Sequence, residues 1–104
     1  MTDLEITKLC AQAMGLQYFS GTKYVSLVHP EGNSDSYDPL QDDAQAMALV
    51  KRWYVVISHA GEKWLVTRGQ ILPDEWVANE NLNRAICECV AKMMKEVIRE
   101  ANSR

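Results

Sequence analysis

The residues best suited to chemistry are two histidines, three cysteines and a run of carboxylates, and their spacing limits what they can do. His29 and His59 each close a strand-like run. Paired strands could bring them together, but neither has a carboxylate or thiol at a spacing that would orient it as a general acid or base. They read as polar strand ends. Cys87 and Cys89 form a C-x-C pair, which on a helix points the two thiols about 200° apart, so the C-x-x-C arrangement of a zinc site is missing. With Cys10 they make an odd set lying inside helical patterns, as reduced core cysteines of a cytoplasmic protein would. A calcium-loop register, a glycine-rich phosphate loop, a nucleophile elbow and a Ser/His/Asp constellation are all lacking. The expectation is a protein with no catalytic residues, no metal and no cofactor.

Two other groups of residues could carry recognition. Between Lys23 and Lys51 there is no Lys or Arg, while Glu31, Asp35, Asp38, Asp42 and Asp43 supply five negative charges. These acids read either as a solvated loop and helix N-terminus, or as a patch that docks a basic protein surface or imitates a phosphate backbone. Trp53, Trp64 and Trp76, with Tyr54, Arg52 and Arg68, read either as core plugs or as a binding hot spot able to stack on a ring.

The elements that must position these groups are legible from periodicity. Thr2 and Glu5 form a capping-box pattern, and Ile6, Leu9, Cys10, Ala13 and Met14 then share one face, predicting a helix over about 3–14 that Gly15 stops. Tyr24 to His29 has strand propensity, with Val25 and Leu27 on one face and Tyr24, Ser26 and Val28 on the other. Pro30 ends that run, and 31–39 reads as a long loop. A second helix over about 41–53 buries Ala46, Leu49, Val50 and Trp53. The segment 54–68 is a hairpin turning at Ala60-Gly61-Glu62, with apolar residues on both faces and hence an expected need for cover on both. Residues 69–81 read as a loop with an edge strand or a turn of helix, and Asn79 or Asn81 caps the last helix, about 80–101.

That last helix has an unusually wide apolar arc. Leu82, Ile86, Cys89, Val90, Met93 and Val97 make one stripe, and Cys87, Ala91, Met94 and Ile98 continue it round to roughly half the circumference. Either a helix of the same chain fills the extra width, or the second stripe is a homo-oligomer seam.

At 104 residues and 47% hydrophobic content the chain fits one domain spanning residues 1–104. A net charge of −3 argues against direct nucleic-acid binding. The N-terminus lacks a basic, apolar leader and no run is long enough to span a bilayer, so a cytoplasmic protein without a membrane partner is expected. The predicted class is α+β: a small, mainly antiparallel sheet, the 54–68 hairpin plus the strand at about 24–29, sandwiched between helices.

The order of pieces resembles the small phage and prophage proteins of the ABA-sandwich, or NinX-like, group. The likeness lies in the helix closing on Met14-Gly15-Leu16, the entry Tyr37-Asp38-Pro39-Leu40-Gln41-Asp42 into a helix, the hairpin with Trp64, and Leu82-Asn83-Arg84-Ala85-Ile86-Cys87 opening the last helix. It implies an α/β/α accessory protein of a phage, cytoplasmic in the host cell, and offers no catalytic or ligand residues. The expected function is non-enzymatic binding of a host protein, of the host-takeover or anti-defence type. The alternative is an oligomer that sequesters a nucleotide-like signal against Trp64 and Arg68.

Overall fold

The computed structural model describes residues 1–28, 34–68 and 76–102. The order is α1 (Asp3–Ala13), β1 (Tyr18–Ser20), β2 (Val25–Val28), β3 (Ser34–Tyr37), α2 (Asp43–Trp53), β4 (Val55–Ala60), β5 (Lys63–Arg68), β6 (Val77–Asn79) and α3 (Leu82–Asn102). The class is α+β and every strand pairing is antiparallel. The strands divide, however, into two three-stranded sheets. Sheet A has the order β1-β2-β3 and sheet B the order β4-β5-β6, so the strand at 25–28 does not join the hairpin.

Each helix begins where a side chain satisfies its first amides. Thr2 Oγ1 accepts from Glu5 N at 3.2 Å, Asp42 Oδ1 from Gln45 N at 3.0 Å, and Asn81 Oδ1 from Arg84 N at 3.0 Å. Gly15, at φ +67°, ends the turn that follows α1.

Helix α3 is the centre of the molecule. Ala85, Ile86, Cys87, Val90 and Ala91 are fully buried, because α1 and α2 pack on it together with β5 and β6 of sheet B. Ile86 and Val90 each contribute about 2 kcal/mol by this burial, and each alanine methyl roughly 0.8 kcal/mol. Helix α1 is tied to the first half of α3: Arg84 donates to Asp3 at 2.8 Å, and the Cys10 thiol to the Cys87 carbonyl at 3.6 Å. The extra width of the apolar arc is therefore filled, at Cys87 and Ala91, by a helix of the same chain. Trp53 fixes the end of α2 to the end of α1 by donating from Nε1 to the Ala13 carbonyl at 3.2 Å.

Sheet B turns one face to α3. The rows Val55–Arg68, Ile57–Val66–Val77 and His59–Trp64–Asn79 share that face by register, and Val55, Val66 and Val77 on it are buried. On the other face Val56 is 42% exposed and Ser58 and Ala78 are also exposed. Thr67 on that face is buried and Leu65 half-buried, so cover there is partial, as a three-stranded antiparallel sheet allows.

Tyr54, between α2 and β4, has φ 52° and ψ 47°. A left-handed backbone costs a residue with a Cβ roughly 1–2 kcal/mol, and this side chain, 79% exposed, gains little packing in return. Tyr54→Gly is expected to raise stability by about 0.5–1 kcal/mol, part of the gain being offset by the freer unfolded chain. A higher urea midpoint at unchanged slope is the readout.

Candidate protein-docking face

Sheet A is built with one buried and one open face. Its rows run Tyr18–Leu27–Asp35, Phe19–Ser26–Ser36 and Ser20–Val25–Tyr37. Val25 and Tyr37 point into the core, at 2% and 4% exposure. By strand alternation the outer face carries Phe19, Ser26, Ser36, Tyr24 and Val28. On it Phe19 and Tyr24 are 69% and 72% exposed. Continuing the register places Tyr24 opposite Gly21 and beside Asp38, and Gly21 N donates to Tyr24 O at 2.9 Å. The two aromatics are diagonal neighbours on a floor of serine and glycine, within reach of one another.

Beside Tyr24 opens a cavity of about 360 Å³, lined among others by Asp3, Thr7, Lys23, Tyr24, Tyr37 and Asp38. It holds two carboxylates and one ammonium, and the Asp3 carboxylate already pairs with Arg84. Two further grooves are apolar. One of about 340 Å³ runs between sheet A and α2 over Met14, Leu16, Leu27, Ala44 and Ala48. The other, about 690 Å³, lies between Leu9 and the end of α3, with Ile98 in its floor and Lys95, Glu96 and Arg99 on its rim.

Two of the acidic residues are engaged in the fold. Asp42 caps α2 and Asp43 accepts from Asn83 Nδ2 at 2.7 Å, so both have structural tasks at a helix start. Asp35 and Asp38 are exposed, on β3 and just after it, and Glu31 lies outside the described residues, as does His29.

The tryptophans are also separated. Trp53 is the half-buried link between α1 and α2, with the Arg52 guanidinium 5.2 Å from its ring. Trp64 is half-buried against His59, ring centroids 4.6 Å apart. Arg68 is on the same face of β5 but four residues along, a separation of about 13 Å. Trp76 is half-buried just before β6. His59 therefore meets an indole; no carboxylate or thiol partner of its ring is found among the described residues.

Of the second apolar stripe on α3, Cys87 and Ala91 are fully buried within the chain and cannot form a seam. Met94 is half-buried and Ile98 is 38% exposed, so only the end of the stripe is open.

The Cys10 and Cys87 thiols and the Tyr37 phenol form a separate interior cluster. The Cys10 thiol is pushed far up from its ordinary range by hydrogen bonding to Cys87, then by burial, then by the nearness of Cys87. Burial raises Tyr37, reinforced by Cys10 and Cys87, and its hydroxyl is buried with no hydrogen-bond partner among the described residues. Burial also raises Cys89, against the pull of Arg68 and Lys92. Thiols held protonated in this way are poor nucleophiles and poor ligands. Among the described residues there is no group of three or more His, Cys, Asp or Glu placed to hold a metal ion, and no helix is long and apolar enough to cross a membrane.

Phe19 and Tyr24 are the residues that sequence reasoning passed over. Phe19 is the chain's single phenylalanine, and its strand is too short to announce itself by alternation. Compared with known proteins, the chain matches no family model, no curated protein and no solved structure.

Proposed function

We propose that this is a non-enzymatic binding protein that docks another protein on the outer face of sheet A. The observation that carries the reading is the pair Phe19 and Tyr24, each more than two-thirds exposed on one face of a sheet whose other face is core. Large aromatics left in water on a floor of small residues are what a partner desolvates to gain affinity. Asp38, beside Tyr24 by register, gives the neighbourhood a negative margin, which suits a partner with a basic rim. The resemblance to phage accessory proteins makes that partner a host protein; the docking face itself does not depend on this identity.

The test is capture from host lysate with the intact chain, Phe19→Ala/Tyr24→Ala and Asp38→Asn in parallel. A specific partner should be lost with the aromatic pair, and held more weakly and with less salt dependence without the Asp38 carboxylate. A partner retained equally by all three would refute the docking face.

A further inference from the structure

Sheet A has two edges, and only one is closed. In the antiparallel ladder of β1 and β2, Val28 N donates to Gln17 O at 3.0 Å and Gly21 N to Tyr24 O at 2.9 Å. By alternation Phe19 exchanges its backbone bonds with Ser26, which leaves the N–H and C=O groups of Tyr18 and Ser20 pointing away from the sheet. The same alternation directs Val25 and Leu27 to Tyr37 and Asp35, so the outward groups of β3 are those of Ser36 and, next to it, Asp38. These are taken by one side chain: Gln45 Nε2 donates to Ser36 O at 3.3 Å, and Asp38 N donates to Gln45 Oε1 at 2.7 Å. The Gln45 carboxamide thus stands in for the peptide group of a further strand. Nothing equivalent reaches the outward groups of Tyr18 and Ser20 among the described residues.

We propose that the open edge of β1 pairs with β1 of a second copy of this chain, antiparallel about a two-fold axis at Phe19. The groups available are self-complementary in that register. Tyr18 and Ser20 of one copy face Ser20 and Tyr18 of the other, each N–H meeting a carbonyl, and the two Phe19 side chains become a directly opposed pair. Such a pair sits at a non-hydrogen-bonded position, where the Cβ atoms approach to about 4.5–5.5 Å and aromatic rings interact favourably. The strand has no charged residue to oppose its own copy, and the antiparallel sense carries the two Lys23 side chains to opposite ends. Natural edges are blunted by Lys, Pro, bulges or a covering group; β3 has its cover, and β1 has none of these. The resulting six-stranded sheet would be continuous and would carry both copies of Phe19 and Tyr24 on one face. The pairing concerns the chain alone, so it can fail without touching the docking proposal, and the reverse.

Sedimentation velocity on the purified chain over a concentration series tests it. The expected result is a reversible dimer whose dissociation constant rises on the order of tenfold or more in Phe19→Lys, which places like charges opposite one another. Position 19 is exposed, so the unfolding midpoint of that variant should stay near that of the parent. In a second arm, Phe19→Cys is treated with a small-molecule disulfide. That oxidant takes two electrons and leaves as two thiols, and the variant should cross-link to a covalent dimer, while Ser58→Cys on the edge strand of sheet B should not. A chain monomeric up to about millimolar concentration, a dimer indifferent to Phe19→Lys, or cross-linking through position 58 instead of 19 would each overturn the proposal. The first of these outcomes would leave the edge free for a strand of another protein.

Discussion

Above about pH 9 the protein is expected to lose stability by roughly 1.4 kcal/mol per pH unit for each buried acid that ionises in the unfolded chain but not in the folded one. Cys10, Cys89 and Tyr37 are such groups, with ordinary values of 9.0 for the thiols and 10.0 for the phenol, all raised by the fold. The sign follows from proton counting. In alkali the unfolded chain has released these protons while the folded chain keeps them, so each rise in pH favours unfolding. Below pH 9 both states are protonated at these sites and their contribution is fully present. Urea unfolding in steps from about pH 8 to 11 should show a fall that steepens as the phenol joins the thiols. Cys10→Ala combined with Tyr37→Phe should flatten it, and the second substitution also removes a buried hydroxyl that has no partner among the described residues. A stability unchanged across this range would mean that water reaches the cluster and that α1 does not seal it.

The second large effect is on recognition. Truncating an aromatic anchor at the centre of an interface commonly costs about 2 kcal/mol or more, a factor of about 30 in affinity. Phe19→Ala and Tyr24→Ala are each expected to reach that size against the captured partner, measured by titration calorimetry on purified components. Both side chains are largely in water in the free protein, so thermal unfolding should barely change and the loss can be assigned to the contact. Tyr54→Ala is the matched control: an aromatic as exposed as these, but on the linker between α2 and β4. Equal losses at all three positions would point to a general stickiness in place of a docking face.

The helices were legible because several independent signals agreed on them. Thr2 and Asn81 cap as their positions suggest, Gly15 takes the left-handed turn, and the apolar stripes of α1, α2 and α3 are largely buried, with Val97 and Ile98 at the end of α3 left exposed. The hairpin of β4 and β5 was equally plain, being two six-residue runs around a glycine at φ +62°. Sheet A was mostly hidden. Tyr18-Phe19-Ser20 is too short to display a period, and Ser34-Asp35-Ser36-Tyr37 has the composition of a loop; it is held as a strand by pairing with Val25 and Leu27 and by the Gln45 amide, both tertiary facts. The structural use of two acids was hidden for a related reason. Charge counted along the chain ignores that Asp42 and Asp43 serve a cap and a link to Asn83. The width of the apolar arc on α3 was correctly read, but what covers it could be decided only by where α1 lies.

The unequal cover along α3 has a dynamic consequence. Its first turns are enclosed on several sides, whereas from Lys95 to Asn102 every residue is exposed. Amide hydrogens of Ile86 to Ala91 should exchange with deuterium only when the whole molecule opens, while those of the last two turns should exchange by fraying. One continuous helix would then hold both the slowest and among the fastest exchanging amides in the protein.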